Sequence, residues 1–366
     1  VATFPAARGA IYTVDAHAGD DANPGHGPGG AWRTPGRVNA ATFRPGDHVR
    51  FRAGGAWTGQ LRITCRGEPG RPIVFEAEGD GPRPRIDGGA GVEDAVLLHN
   101  AQHVVVRGLE VTHAGGGEDG ATRRGVHIVG EDAGVLAGIE VTDLFVHDVR
   151  GTQARKENGG IILTTSGRRT PTRFDGLRIE RNIVWRADRS GIVARSTHAS
   201  RRRWFPSTGV VIRDNWVGDV GGDGITPWAT EGCLVEHNIV EGADERAGTY
   251  NAGIWPWSTD GTVLRLNRAS GVKTLRDGQG FDSDDNSRGT LIEGNLGHDN
   301  AGGFLLVCAP GGRDPREDLG NRGTIARYNI SRQTAPGRST SARPRGRSCT
   351  TTRCTSRPGP TSRCSC

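Results

Sequence analysis

Between residues 159 and 308 the apolar positions fall into short alternating runs. Each is opened by a tight turn and a Gly followed by a large apolar side chain. The runs are Gly160-Ile161-Ile162-Leu163, Gly191-Ile192-Val193-Ala194, Gly224-Ile225-Thr226-Pro227, Gly253-Ile254-Trp255-Pro256, Gly280-Phe281-Asp282-Ser283 and Gly303-Phe304-Leu305-Leu306. Their Gly residues lie 31, 33, 29, 27 and 23 positions apart. A period in that range marks stacked repeats. Strand-length alternation without a helix-length apolar stripe makes each repeat one coil of a parallel β-solenoid.

The same reading extends along the chain. Strand pairs are predicted at 96–100 and 104–111, at 139–141 and 144–146, and at 177–179 and 183–184. Asn182, Asn215, Asn238, Asn267, Asn295 and Asn329 each follow a short apolar strand. Asn tolerates the left-handed conformation, so a stack of Asn at one corner predicts a repeated tight bend with a structural role. Residues 11–90 differ: a strand at 11–15, a turn-rich stretch over 19–25, and a short helix over 37–42. An open solenoid end exposes apolar core and strand edge, so residues 1–60 are expected to form an N-terminal cap. Coils are expected over 61–331.

Composition supports this. With 58 Gly in 366 residues and 34% hydrophobic positions, the chain suits a narrow core with many turns rather than a helical bundle. No run of 18 apolar residues occurs, so no membrane-spanning helix is predicted. There is no Met, even at position 1, which suggests a chain that starts after a processing point or is a fragment. Secretion and a monomeric state are the expectation. The formal charge of +6 is misleading as a sign of nucleic-acid binding. Residues 332–366 hold eight Arg and no acid, so the remainder carries −2 and offers no basic face. That tail contains no Val, Ile, Leu, Phe, Tyr or Trp, and four of the seven Cys. A one-base shift of plausible GC-rich codons across 349–355 restores a coil-like sequence, so the tail reads as a frameshift product; a disordered basic tail is the alternative. Cys65, Cys233 and Cys308 are far apart, lack metal-site spacing and are expected to be buried free thiols.

The segment Asp15…Gly19-Asp20-Asp21…Asn23-Pro24-Gly25, the turn Pro45-Gly46-Asp47 and the Asn corners resemble the pectate-lyase-like superfamily, over roughly residues 11–331. This resemblance implies an all-β, single-stranded right-handed parallel β-helix (solenoid) and a secreted enzyme acting on polysaccharides. The strand 280–285 is similar to the acidic motif of polygalacturonases, but that group's Gly-His-Gly and Arg-Ile-Lys motifs are missing.

Aligning the copies on Gly locates a candidate site. The residue after Gly is expected inside; the next, and the one two beyond it, should face outward. The outward columns read Ile162, Val193, Thr226, Trp255, Asp282, Leu305 and Thr164, Arg195, Trp228, Trp257, Asp284, Val307. Coils stack about 4.8 Å apart, so Trp228, Trp255 and Trp257 should share a wall with Asp282 and Asp284. An exposed Trp beneath a loop is unremarkable, but three beside two carboxylates predict sugar-stacking subsites and a glycosidase acid pair. A Ca²⁺ site or a turn is the alternative for the acids. Arg195 could bind an acidic sugar. Asp223, Asp277, Lys273 and His298 are further candidates from turns and corners near that face. Three readings follow: a glycoside hydrolase using Asp282 and Asp284 without cofactor, a Ca²⁺-dependent polysaccharide lyase with Lys273 or Arg195 as base, or a non-catalytic carbohydrate-binding solenoid.

Overall fold

The short alternating runs become short strands, or at Ile254 an isolated bridge, that pair with the equivalent run of the next coil. The computed structural model describes residues 9–115, 120–274, 276–308, 314 and 316–332, and the backbone of 347–349 and 352–353. A twelve-stranded sheet runs from Ile11–Val14 to Thr352–Arg353, and an eleven-stranded sheet from Ala56–Thr58 to Arg347–Cys349. Pairing is parallel throughout both, except where Arg347–Cys349 and Thr352–Arg353 add antiparallel to the last coil. Beyond these two strands, the residues of the basic tail lie outside those described.

A third, six-stranded sheet holds Leu61–Ile63, Asp94–His99, Arg124–Glu131, Gly159–Ser166, Ser190–Ser196 and Ile225–Thr226. Bridges through Ile254 carry it on to Gln279–Ser283 and Gly303–Val307. Pro227 and Pro256 have no N–H for the ladder. Directly after them the chain enters a five-stranded sheet, at Trp228–Glu231 and Trp257–Asp260. Both indoles are therefore fixed at a corner.

The expected inner column forms: Ile161, Ile192, Ile225, Ile254 and Phe281 are buried in one core. The Gly column is a steric requirement. A Cβ on Gly224 would lie 2.3 Å from the Gly253 carbonyl oxygen and 2.6 Å from Val240, and one on Gly191 2.4 Å from Val217. Gly therefore stands where the facing strand presents Val.

Three details differ from the sequence reading. The helix is Pro35–Asn39 rather than 37–42, because Thr34 Oγ1 accepts from the Arg37 N–H and Pro35 suits the first turn. The corner Asn residues are not left-handed. That conformation falls on the residue before each one, including Arg181, Asp214, His237, Leu266 and Tyr328, while the Asn amides turn inward as a buried ladder. Each Asn Oδ1 accepts both the backbone N–H and the Nδ2–H of the preceding coil's Asn, from Asn182–Asn215 through Asn295–Asn329, at 2.9–3.1 Å.

The last coil is the third correction. Phe281 pairs with Leu305, Asp282 with Leu306 and Ser283 with Val307, one residue off the Gly alignment. Phe304, not Gly303, stands beside Gly280. Room for its ring comes from the facing strand, where Gly297 replaces Val: a Cβ there would meet Phe304 at 2.5 Å. Large and small have exchanged sides, so aligning on Gly fails there. Of the three Cys outside the tail, only Cys233 is fully buried; Cys65 and Cys308 are half-buried.

Candidate active site

Adjacent parallel strands place the outward columns side by side. Asp282 N–H donates to Ile254 O at 3.2 Å and Asp284 N–H to Pro256 O at 3.1 Å, which sets Asp282 beside Trp255 and Asp284 beside Trp257. Trp228 pairs with Trp257 in turn. A cleft of about 200 Å³ opens on this wall, lined by Lys156, Trp228, Tyr250, Asn251, Ala252, Trp255, Trp257, Asp277, Asp282 and Asp284.

The tryptophans are wall rather than open platform. Trp228 lies between Arg195, 3.9 Å from its ring centroid, and Trp257, 4.0 Å centroid to centroid. Trp255 is almost fully buried; its Nε1–H donates to Asp223 Oδ1 at 3.0 Å, and Lys156 Nζ sits 4.7 Å from its ring centroid. The aromatic ring that stands free beside the cleft is Tyr250, 66% exposed. The sequence reading passed over it because Tyr250 precedes the Gly253 run instead of lying in it.

Three carboxyls converge. Asp282 is 2% exposed, while Asp277 and Asp284 are half-buried. Burial pushes the Asp282 carboxyl well above the usual carboxylate range, and the negative charges of Asp284 and Asp277 push it further. Burial also raises Asp284, opposed by the Asp285 N–H that donates to its Oδ1 at 2.6 Å, by the Cys308 thiol and by Lys156. Neighbours decide the difference. The one-residue slip of the last coil sets Leu306 beside Asp282 and brings Cys308 beside Asp284, so one acid is flanked by apolar groups and the other by a donor. The same carboxylates and burial hold the Cys308 thiol protonated, far above its ordinary range.

The other sequence candidates fall in different places. Asp223 is not a solvated turn residue but fully buried, paired with Lys156 at 2.9 Å and Arg189 at 3.4 Å. Arg195 is committed to Trp228 and to Glu157, at 2.8 Å. Asp277 lines the cleft. Lys273 is exposed and bonded to Glu245, and His298 lies on the eleven-stranded sheet against Asp299, so neither lines the cleft. Lys156 and Asn251 were missed, since they come from turns that precede their strands and carry no periodic signal.

Asp282 has a consequence for stability. Its carboxyl keeps its proton to higher pH in the folded chain than in the unfolded one. The folded state therefore binds more protons, and stability falls as pH rises from the ordinary carboxylate range through the raised one. Asp282→Asn removes that loss. Thermal melts at pH 7 are expected to show a Tm higher by about 1–2 °C, the shift given by a gain of about 1 kcal/mol in a chain of 366 residues. The gain should shrink near pH 3.5, roughly where the unfolded carboxyl also takes up its proton.

Comparison with known proteins places this arrangement. No protein-family model matches the chain. A lacto-N-biosidase of Bifidobacterium longum subsp. longum is 25% identical over 90% of the chain and 26% of its own length. The crystal structure of a GH136 lacto-N-biosidase from Eubacterium ramulus superposes with a TM-score of 0.72 and 27% identity, covering 81% of this chain and 57% of that one. The chain has a parallel β-helix fold, shared with the GH136 structure. A XylC–xylose complex shares the fold at a TM-score of 0.50 and 12% identity. The chain thus spans about a quarter of the curated relative and just over half of the solved one.

Proposed function

We propose that this β-helix carries the active site of a glycoside hydrolase acting on a neutral oligosaccharide or polysaccharide. The observation that carries the reading is the meeting of Asp277, Asp282 and Asp284 with Trp257 and Tyr250 in one cleft. Hydrolysis needs one carboxyl to protonate the leaving oxygen and a second as nucleophile or base. Asp284 and Asp277 are both half-buried and line the cleft, so they reach a bound sugar; Asp282 is almost fully buried at its wall, its carboxyl pushed well above the usual carboxylate range by burial and by its acidic neighbours. The expected role of Asp282 as one of the reacting pair thus passes to Asp277 in this proposal. The similarity to lacto-N-biosidases supports hydrolysis.

A lyase must neutralise a uronate carboxylate. Among the described residues lining the cleft, Lys156 is the one cation, and Asp223 already engages it. Asp284, Asp285 and Cys308 lie close enough to share an ion. A protonated thiol is a poor ligand for Ca²⁺, which takes oxygen donors.

Incubation with neutral oligosaccharides, polygalacturonate and alginate tests the reading. New reducing ends from a neutral glycan, unchanged by chelator, are expected. Ultraviolet-absorbing unsaturated products from a uronate polymer, with the neutral glycans intact, would overturn it. Chemical binding without cleavage would move the chain to the non-catalytic class.

A further inference from the structure

Among the described residues that line the cleft, the acids face one cation, and it comes from far along the axis. Lys156 precedes the Gly160 strand, four coils before the strand Gln279–Ser283 that carries Asp282 and leads directly into Asp284. Its carbonyl accepts from Ser190 Oγ at 2.8 Å, one coil on. Its ammonium pairs with Asp223 Oδ2 at 2.9 Å, two coils on, and donates to Tyr250 O at 2.7 Å, three coils on. One side chain thereby ties the Asp223 turn to the Tyr250–Asn251 wall, against the Trp255 ring.

The surrounding charges make this cation matter. Asp223 is fully buried and also meets Arg189, so the Asp223–Lys156–Arg189 group carries a net positive charge beside the acids. Asp284 is faced by Asp282 at the end of the preceding strand, Asp285 beside it in sequence, Asp277 from the preceding turn, Cys308 from the next coil, and Lys156 across the cleft. Every group in that set except Lys156 is an acid or a neutral thiol. An ammonium in a partly desolvated cleft favours the ionised form of the nearest carboxyl it can reach.

We propose that Lys156 is a positioning residue for the reaction: it holds the Tyr250–Asn251 wall in place and favours the ionised form of Asp284. The proposal rests on the hydrolase reading. Its charge effect, however, is a property of the cleft and is measurable without turnover.

Lys156→Gln keeps a donor for Tyr250 O but removes the charge; Lys156→Arg keeps the charge. The pH dependence of kcat/KM on a cleaved neutral glycan is compared with the pH dependence of tryptophan fluorescence, with Trp257→Phe identifying the signal from the cleft. In Lys156→Gln the acidic limb and the fluorescence midpoint are expected to move together to higher pH, with kcat/KM down about tenfold or more from lost positioning. Lys156→Arg should leave both midpoints near those of the wild type. A folded Lys156→Gln protein whose limb and midpoint stay in place overturns the proposal, even if its Tm falls. Should Lys156→Gln fail to fold, a Lys156→Arg protein with displaced midpoints overturns it as well. If the wild type cleaves no glycan, the hydrolase reading falls alone, and the fluorescence midpoints still decide the effect of the charge.

Discussion

Asp284→Asn is expected to lower kcat/KM for the cleaved glycan by about 10³-fold or more, the range for loss of a reacting acid–base group. The substitution keeps shape, and the Asn oxygen can still accept the Asp285 N–H that now bonds Asp284 Oδ1 at 2.6 Å. Removing a carboxyl whose charged form is disfavoured by burial costs no folding stability, so Tm should hold. Loss of activity with an unchanged melt separates chemistry from folding. Asp277→Asn should match it, because both half-buried acids must act on the same glycosidic bond. Asp282→Asn should cost less and mainly displace the pH profile, since that acid acts through its neighbours' charge. If Asp282→Asn instead equals Asp284→Asn and Asp277→Asn is mild, the reacting pair is the one on a single strand. Activity that survives Asp284→Asn removes the site assignment altogether.

Much of this wall is legible in the sequence because a repeat fixes its neighbours by arithmetic. Knowing that Trp255 and Asp282 hold the same place after their Gly is enough to set them side by side once coils stack. The method stops where the repeat stops. Cys308 stands beside Asp284 only because Phe304 and Gly297 exchange volume, and no count from Gly303 reveals that exchange. Turn residues escape for another reason. Lys156, Asp223 and Tyr250 meet across three coils, and their positions depend on loop paths rather than on strand register. Periodicity also gives which way a side chain points but not what already occupies its face. Arg195 lies over the Trp228 ring and Trp257 packs against it, while burial takes Trp255, so of the three indoles the sequence set on this face only Trp228 and Trp257 keep part of their surface open to the cleft. The Asn corners were visible as a column. Their role as buried amides depended on which residue of the corner takes the positive φ, and Leu266 or Tyr328 gives no sign of that in sequence.

That ladder carries the largest expected effect on stability. Asn238 Oδ1 accepts from the N–H and Nδ2 of Asn215, and its own Nδ2 donates to Ile212 O, Glu236 O and Asn267 Oδ1. All of these lie in the buried corner, out of reach of water. Asn238→Ala strands several of these partners at once. Each buried group left unpaired costs about 1–3 kcal/mol, so a total of about 4 kcal/mol or more is expected. For a chain of 366 residues that corresponds to a fall in Tm of about 5 °C. Apolar side chains at this place are not excluded in principle. Leu144 occupies the equivalent corner one coil before Asn182, and its N–H is still served by Asn182 Oδ1 at 3.0 Å. Each Asn Oδ1 thus serves the backbone N–H of the coil before it rather than that of its own. The damage from Asn238→Ala should therefore appear first at the amide of residue 215, whose hydrogen exchange should accelerate, while the amide of residue 238 remains bonded to Asn267 Oδ1. Exchange that speeds up at 238 and spares 215 would contradict this direction of support.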